Sequence, residues 1–116
     1  MKDSIVKDKS KDFALRIIKL YKYLTITADN KEYVLSKQVL RSGTSVGANI
    51  KEALRGQSRP DFRAKMSIAL KEASETEYWL ELLHESEYLD ESSYISIIND
   101  NIELIKMLTR IVKNTE

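Results

Sequence analysis

One histidine and a set of spaced cations are the residues here whose chemistry could be put to use. Glu81-Leu82-Leu83-His84 has the Glu-x-x-His spacing that sets a carboxylate and an imidazole on one helix face, as in the di-iron sites of helical bundles. Such a site needs the motif on two helices plus further carboxylates, and His84 is the only histidine, so one chain cannot complete it. His84 then reads as a surface residue, or as one facing the negative end of a helix dipole. The absence of cysteine excludes disulfides, thiolate metal sites and thiol nucleophiles, and fits a reducing, cytoplasmic setting. No P-loop, glycine-rich phosphate loop or zinc-protease motif is present. The expectation is a non-enzymatic protein with no metal, no cofactor and no small-molecule substrate.

The cations are more informative. At about 100° per residue, with Lys37 as zero, Arg41 falls at about 40°, Lys51 at about 320° and Arg55 at about 0°. The four line one stripe about 80° wide, opposite the apolar residues Leu35, Val39, Val46 and Ile50. Arg59 and Arg63 follow across a turn and extend the patch. Lys37, Arg41, Lys51, Arg55 and Arg59 are candidates for contacting the phosphates of RNA without reading its sequence. Two other uses of the same stripe remain open. It is an ordinary solvated face, with Glu52 beside Lys51 and Arg55, or it pairs Arg41 or Lys51 with third-helix carboxylates between subunits.

The elements that position these residues follow from the apolar spacing. Over 116 residues the chain is 42% hydrophobic and 32% charged, enough apolar content for one core and too few breakers (three Gly, one Pro) for a turn-rich β protein. Phe13, Ile17, Leu20 and Leu24 recur at helical steps and predict a helix over 8–27. A second runs over 32–55 and ends at Gly56. Ser58 caps a third over 59–86, with Pro60 in its first turn and Phe62, Met66, Ala69, Ala73, Thr76, Leu80 and Leu83 inward. Asp90 caps a fourth over 91–113, where Tyr94, Ile98, Asn101, Ile105, Leu108 and Val112 repeat the spacing. Thr76 and Asn101 read as local hydrogen-bond partners within the core. The connections are short, which favours antiparallel neighbours. The expected fold is all-α: a single-domain, antiparallel up-and-down four-helix bundle. No secretory signal and no run of about 20 apolar residues is present, so no membrane association is expected.

Two features point to close packing and assembly. Gly43 and Gly47 stand where the second helix should be strongest, each costing about 1 kcal/mol relative to Ala. They share a face, and the apolar phase runs through them undisturbed, so they read as a site of close backbone approach, within the bundle or across subunits. The alternative is a loop that breaks the helix there. On the third helix, Ile68, Trp79 and Leu82 fall on the side away from the core stripe, with Glu75 in the same sector. That face is a candidate subunit interface, unless helices two and four simply bury the third on both sides.

Charge is distributed unevenly. The net of +1 is a cancellation: residues 1–65 carry fifteen basic and seven acidic groups, residues 66–116 four and eleven. A neutral total therefore does not exclude a polyanion partner.

The segment Leu40-Arg41-Ser42-Gly43-Thr44-Ser45-Val46-Gly47-Ala48-Asn49-Ile50-Lys51-Glu52-Ala53 resembles the hallmark of the bacterial 23S rRNA intervening-sequence protein family. Phe62-Arg63-Ala64-Lys65-Met66 and Lys71-Glu72-Ala73-Ser74-Glu75-Thr76-Glu77-Tyr78-Trp79-Leu80 resemble its second signature, and Phe13-Ala14 with Leu20-Tyr21 its first helix. The resemblance covers almost the whole chain. It implies a small antiparallel bundle assembled into a ring-like homopentamer, with no catalytic residue to carry over and no shared activity. Many members are encoded inside insertions of large-subunit rRNA genes. A related branch, the accessory protein of diversity-generating retroelements, binds a reverse transcriptase and nucleic acid. The partners this implies are the chain itself and, beyond it, RNA or a nucleic-acid-processing protein.

Overall fold

Val6, Ser10, Phe13, Ile17, Leu20 and Leu24 fall on one side of a continuous helical path and are all buried, which is what holds the first helix against its neighbours. The computed structural model describes residues 2–115, with side chains from residue 5 onward. Helix α1 is Lys2–Lys22, followed by a π-helical turn, Tyr23–Thr27. It begins well before position 8, because Val6 and Ser10 extend the buried face through a segment whose charges hide the pattern. Its end is not α-helical up to 27 as the spacing predicted. The wider turn keeps Leu24 fully buried while Ile26 is left 68% exposed.

The return to the second helix is closed by hydrogen bonds rather than apolar packing. The Glu32 amide donates to the Leu24 carbonyl at 2.9 Å. The Glu32 carboxylate, itself buried, accepts from the amides of Val34 (3.0 Å), Leu35 (2.9 Å) and Ser36 (2.7 Å). Glu32 is therefore the cap of α2, Leu35–Leu54, and the helix starts three residues later than its apolar pattern predicts. First-turn amides satisfied by one buried carboxylate have no substitute acceptor. Glu32→Ala is accordingly expected to lower unfolding stability by about 1–2 kcal/mol. An unchanged melting temperature would show that solvent satisfies those amides equally well.

Helix α3, Arg59–Glu85, starts as its sequence predicts: the Asp61 amide donates to Ser58 Oγ at 3.2 Å and Pro60 occupies the first turn. Helix α4, Glu91–Asn114, is capped by Asp90, whose carboxylate accepts from the Ser93 amide at 2.7 Å. That hydrogen bond holds the Asp90 carboxyl below its ordinary range.

The four helices share one hydrophobic cluster and include no strand among the described residues. Contacts along each seam pair rising numbers on one helix with falling numbers on the next. Arg41 meets Glu72 and Glu75, Ser42 meets Thr76, and Glu52 meets Lys65 along α2 and α3. Asn101 Nδ2 donates to the Ala73 carbonyl at 3.1 Å, while Arg63 and Arg59 reach the Val112 and Asn114 carbonyls along α3 and α4. Thr76 Oγ1 lies 2.8 Å from both Ser42 Oγ and the Glu72 carbonyl, so Thr76 and Asn101 tie α3 to α2 and to α4, while the buried Asn101 Oδ1 has no partner among the described residues. No described helix is long and apolar enough to cross a membrane.

Candidate nucleic-acid interface

The stripe predicted on α2 is exposed, but its members have different surroundings. Arg41 Nη2 binds the Glu75 carboxylate and Nη1 lies 3.4 Å from Glu72, both on α3 of the same chain. Glu75 also accepts from Trp79 Nε1 at 2.9 Å. Arg41 is thus already neutralised, and the pairing that the sequence left open between subunits is met within one. Lys37 is exposed and unpartnered among the described residues, but stands about 21 Å from Lys51 along the helix at 1.5 Å per residue. Arg59 Nη2 lies 3.4 Å from the Asn114 carbonyl, where it offsets the negative end of α4. Glu52 pairs with Lys65 of α3 at 3.1 Å, which draws it away from Lys51 and Arg55.

Lys51 and Arg55 instead join two cations the stripe did not include. They form one wall of a groove between α1 and α2 of about 450 Å³, whose other wall carries Lys7 and Lys11. None of these four side chains has a salt-bridge or hydrogen-bond partner among the described residues. Ser10, Ala14, Thr44, Gly47 and Ala48 make the floor. The floor is low because nothing on it is larger than threonine. Its hydroxyls are engaged with their own helices, Ser10 Oγ with the Lys7 carbonyl at 2.9 Å and Thr44 Oγ1 with that of Leu40 at 2.7 Å. No carboxylate lines the groove among the described residues. Four unpaired positive charges in one concavity repel each other and attract a polyanion.

The two glycines do different work. A Cβ on Gly43 would lie 2.8 Å from Ile17 Cγ1 and 2.9 Å from Cγ2, so Gly43 marks a close approach of α2 to the core side of α1. A Cβ on Gly47 would meet Ser10 at 3.4 Å and beyond, which is ordinary contact. Gly47 is therefore less a packing requirement than part of the groove floor.

Because rising numbers on one helix meet falling numbers on the next, charge divides by the ends of the molecule rather than by the halves of the chain. Residues 5–13, 46–55, 58–70 and 103–115 gather at one end and carry eleven basic and five acidic side chains. Residues 14–45 and 71–102 carry seven basic and eleven acidic. The groove lies at the basic end.

The remaining sequence candidates are placed as follows. His84 stacks on Tyr94 with ring centres 4.1 Å apart, and its Nε2 is 2.9 Å from Glu91, so it serves the α3–α4 corner. No three metal-binding side chains converge among the described residues. On α3, Ile68 is exposed, whereas Trp79 and Leu82 are half-buried, Trp79 packing against the core. Tyr78, 54% exposed with its ring 5.4 Å from that of Trp79, enlarges this outward face. Its azimuth lies about 100° from Trp79, which put it outside the predicted sector. Lys7 and Lys11 escaped sequence reading for a related reason. Their one-turn spacing on α1 was visible, but not the side of α1 that meets Gly47.

A family model described as 23S rRNA-intervening sequence protein matches residues 2–110. A solved structure from Bacteroides thetaiotaomicron VPI-5482, described as a protein of unknown function from the S23 ribosomal protein family, is 59% identical in sequence. It superposes with a TM-score of 0.92, covering 97% of this chain and 99% of that one. No curated protein matches the chain.

Proposed function

Given that the chain belongs to the 23S rRNA-intervening sequence protein family, we propose that it is a non-enzymatic, cytoplasmic, homo-oligomeric bundle that binds RNA through its basic end. The observation that carries this reading is the α1–α2 groove, where Lys7, Lys11, Lys51 and Arg55 converge without a partner among the described residues. Arg59 stands at the same end as an outlying cation, Lys37 lies about 21 Å from Lys51 and outside the groove, and Arg41 acts instead as a clamp on Glu75. Binding is by phosphate contact, since every charged side chain lining the groove among the described residues is a cation. The test is fluorescence anisotropy of a labelled structured RNA with the intact protein across a salt series. Binding at low salt that weakens steeply as salt rises fits the reading. No binding at low salt overturns it.

The fold completes as an antiparallel up-and-down bundle, supported by the descending residue pairs along each seam. Assembly into a ring-like pentamer uses the outward face of α3, supported by the exposure of Ile68 and Tyr78 beside Trp79, Leu82 and the Arg41–Glu75 clamp. Ile68→Asp with Tyr78→Asp is expected to reduce the mass in light scattering without loss of helicity, because both side chains are largely outside the core. An unchanged mass would move the interface elsewhere.

A second reading is a protein-interaction scaffold that binds no nucleic acid. It is favoured by the opposite charge of the two ends, since the basic groove of one subunit can then be met by the acidic end of another. On that reading the intact oligomer retains no RNA even at low salt.

A further inference from the structure

Resting on the RNA-binding reading, we infer that the groove is built for the backbone of a double helix and not for a single strand. Lys7 and Lys11 stand one helical turn apart on α1, and Lys51 and Arg55 one turn apart on α2, about 6 Å along each axis. The two rows line the same groove in a staggered arrangement, with Ser10, Ala14, Thr44, Gly47 and Ala48 between them. That shape accepts a protruding ridge of phosphates with cations on both sides. What the groove lacks is equally specific. No aromatic ring and no side-chain amide line it among the described residues.

Proteins that hold single strands combine a basic groove with aromatic platforms, and stacking supplies much of the affinity. Here there is no platform, so a single strand would gain charge contacts alone while losing the freedom of its bases. A duplex presents about one charge per 1.7 Å of axis, keeps its bases stacked on one another, and offers a rigid ridge. Double-stranded RNA is recognised by shape and backbone contacts of this kind. With only phosphate contacts available, the ligand of higher charge density and lower ordering cost binds more tightly.

The test compares an RNA duplex with oligouridine of equal length, each about 20 nucleotides per strand, by anisotropy at low salt. The intact protein and a Lys7→Glu, Arg55→Glu variant are titrated in parallel. The expected result is duplex binding about tenfold tighter or more, with that preference lost in the variant. Oligouridine binding as tightly as the duplex overturns the duplex inference and leaves RNA binding standing. Binding of neither probe overturns the RNA-binding reading itself. A duplex preference that survives in the variant removes the groove as its source.

Discussion

Reversing the four groove cations together, as Lys7→Glu, Lys11→Glu, Lys51→Glu and Arg55→Glu, is expected to lower RNA affinity by about 10³–10⁴-fold at low salt. Each cation that neutralises a phosphate contributes about 0.9 to the slope of log affinity against log salt. Losing four such contacts should flatten that slope by about 3.6. Lys37→Glu is the matched control: an equally exposed cation on the same helix, far from the groove, whose reversal should change affinity only severalfold. The same cluster makes a stability prediction of opposite sign. Four positive side chains with no partner among the described residues repel one another across the groove, so replacing them with glutamine should raise the melting temperature at low salt while weakening binding. A purely structural role would move both in the same direction. Equal affinity of the reversed variant and the parent would place any RNA contact elsewhere on the surface.

Substitution of Gly43 is expected to be the most damaging single change in the fold. Ile17 is fully buried, and an added Cβ would sit 2.8–2.9 Å from two of its carbons. Ile17 has little room to yield, because a β-branched side chain in a helix is confined largely to one rotamer. Overpacking of this kind costs about 1–3 kcal/mol, against about 1 kcal/mol gained from replacing glycine in a helix. Gly43→Ala should therefore destabilise by up to about 2 kcal/mol, and Gly43→Val by about 3 kcal/mol or more, since the extra methyls have nowhere to go. Gly47→Ala is expected to have the opposite sign. Its Cβ meets Ser10 at ordinary contact distances, so the helix-propensity gain of about 0.5–1 kcal/mol survives. Thermal unfolding separates the two directly. Two glycines four residues apart, alike in sequence, should shift the transition in opposite directions, and a shift of the same sign at both would refute the packing distinction.

The residues that set the helices were legible because apolar spacing and capping are local. Ser58 and Asp90 cap where their sequence context predicts, and the inward set from Met66 to Leu83 is buried as a continuous face. The start of α2 was not legible in the same way. Glu32 lies outside the helix and turns its carboxylate onto the first-turn amides, a role that depends on the path of the preceding turn. Half of the groove was readable: Lys51 and Arg55 share a face of α2. The other half required knowing which side of α1 faces α2, and period alone leaves that rotation undetermined. Arg41 illustrates the converse. Its azimuth matched the stripe, but its partners, Glu72 and Glu75, come from a different helix. Charge by chain half was a fair guide to asymmetry. The charge division runs instead between the two ends of the bundle.

The most direct test of the groove as the RNA contact is a backbone amide NMR titration of the protein with the RNA duplex. Shifts are expected to concentrate at Ser10, Gly47 and Ala48 and at the flanking Lys7, Lys11, Lys51 and Arg55, with the Asp90–Ser93 corner at the acidic end unmoved. Shifts centred on the acidic end, or on the outward face of α3, with the Gly47 amide unchanged, would contradict the account.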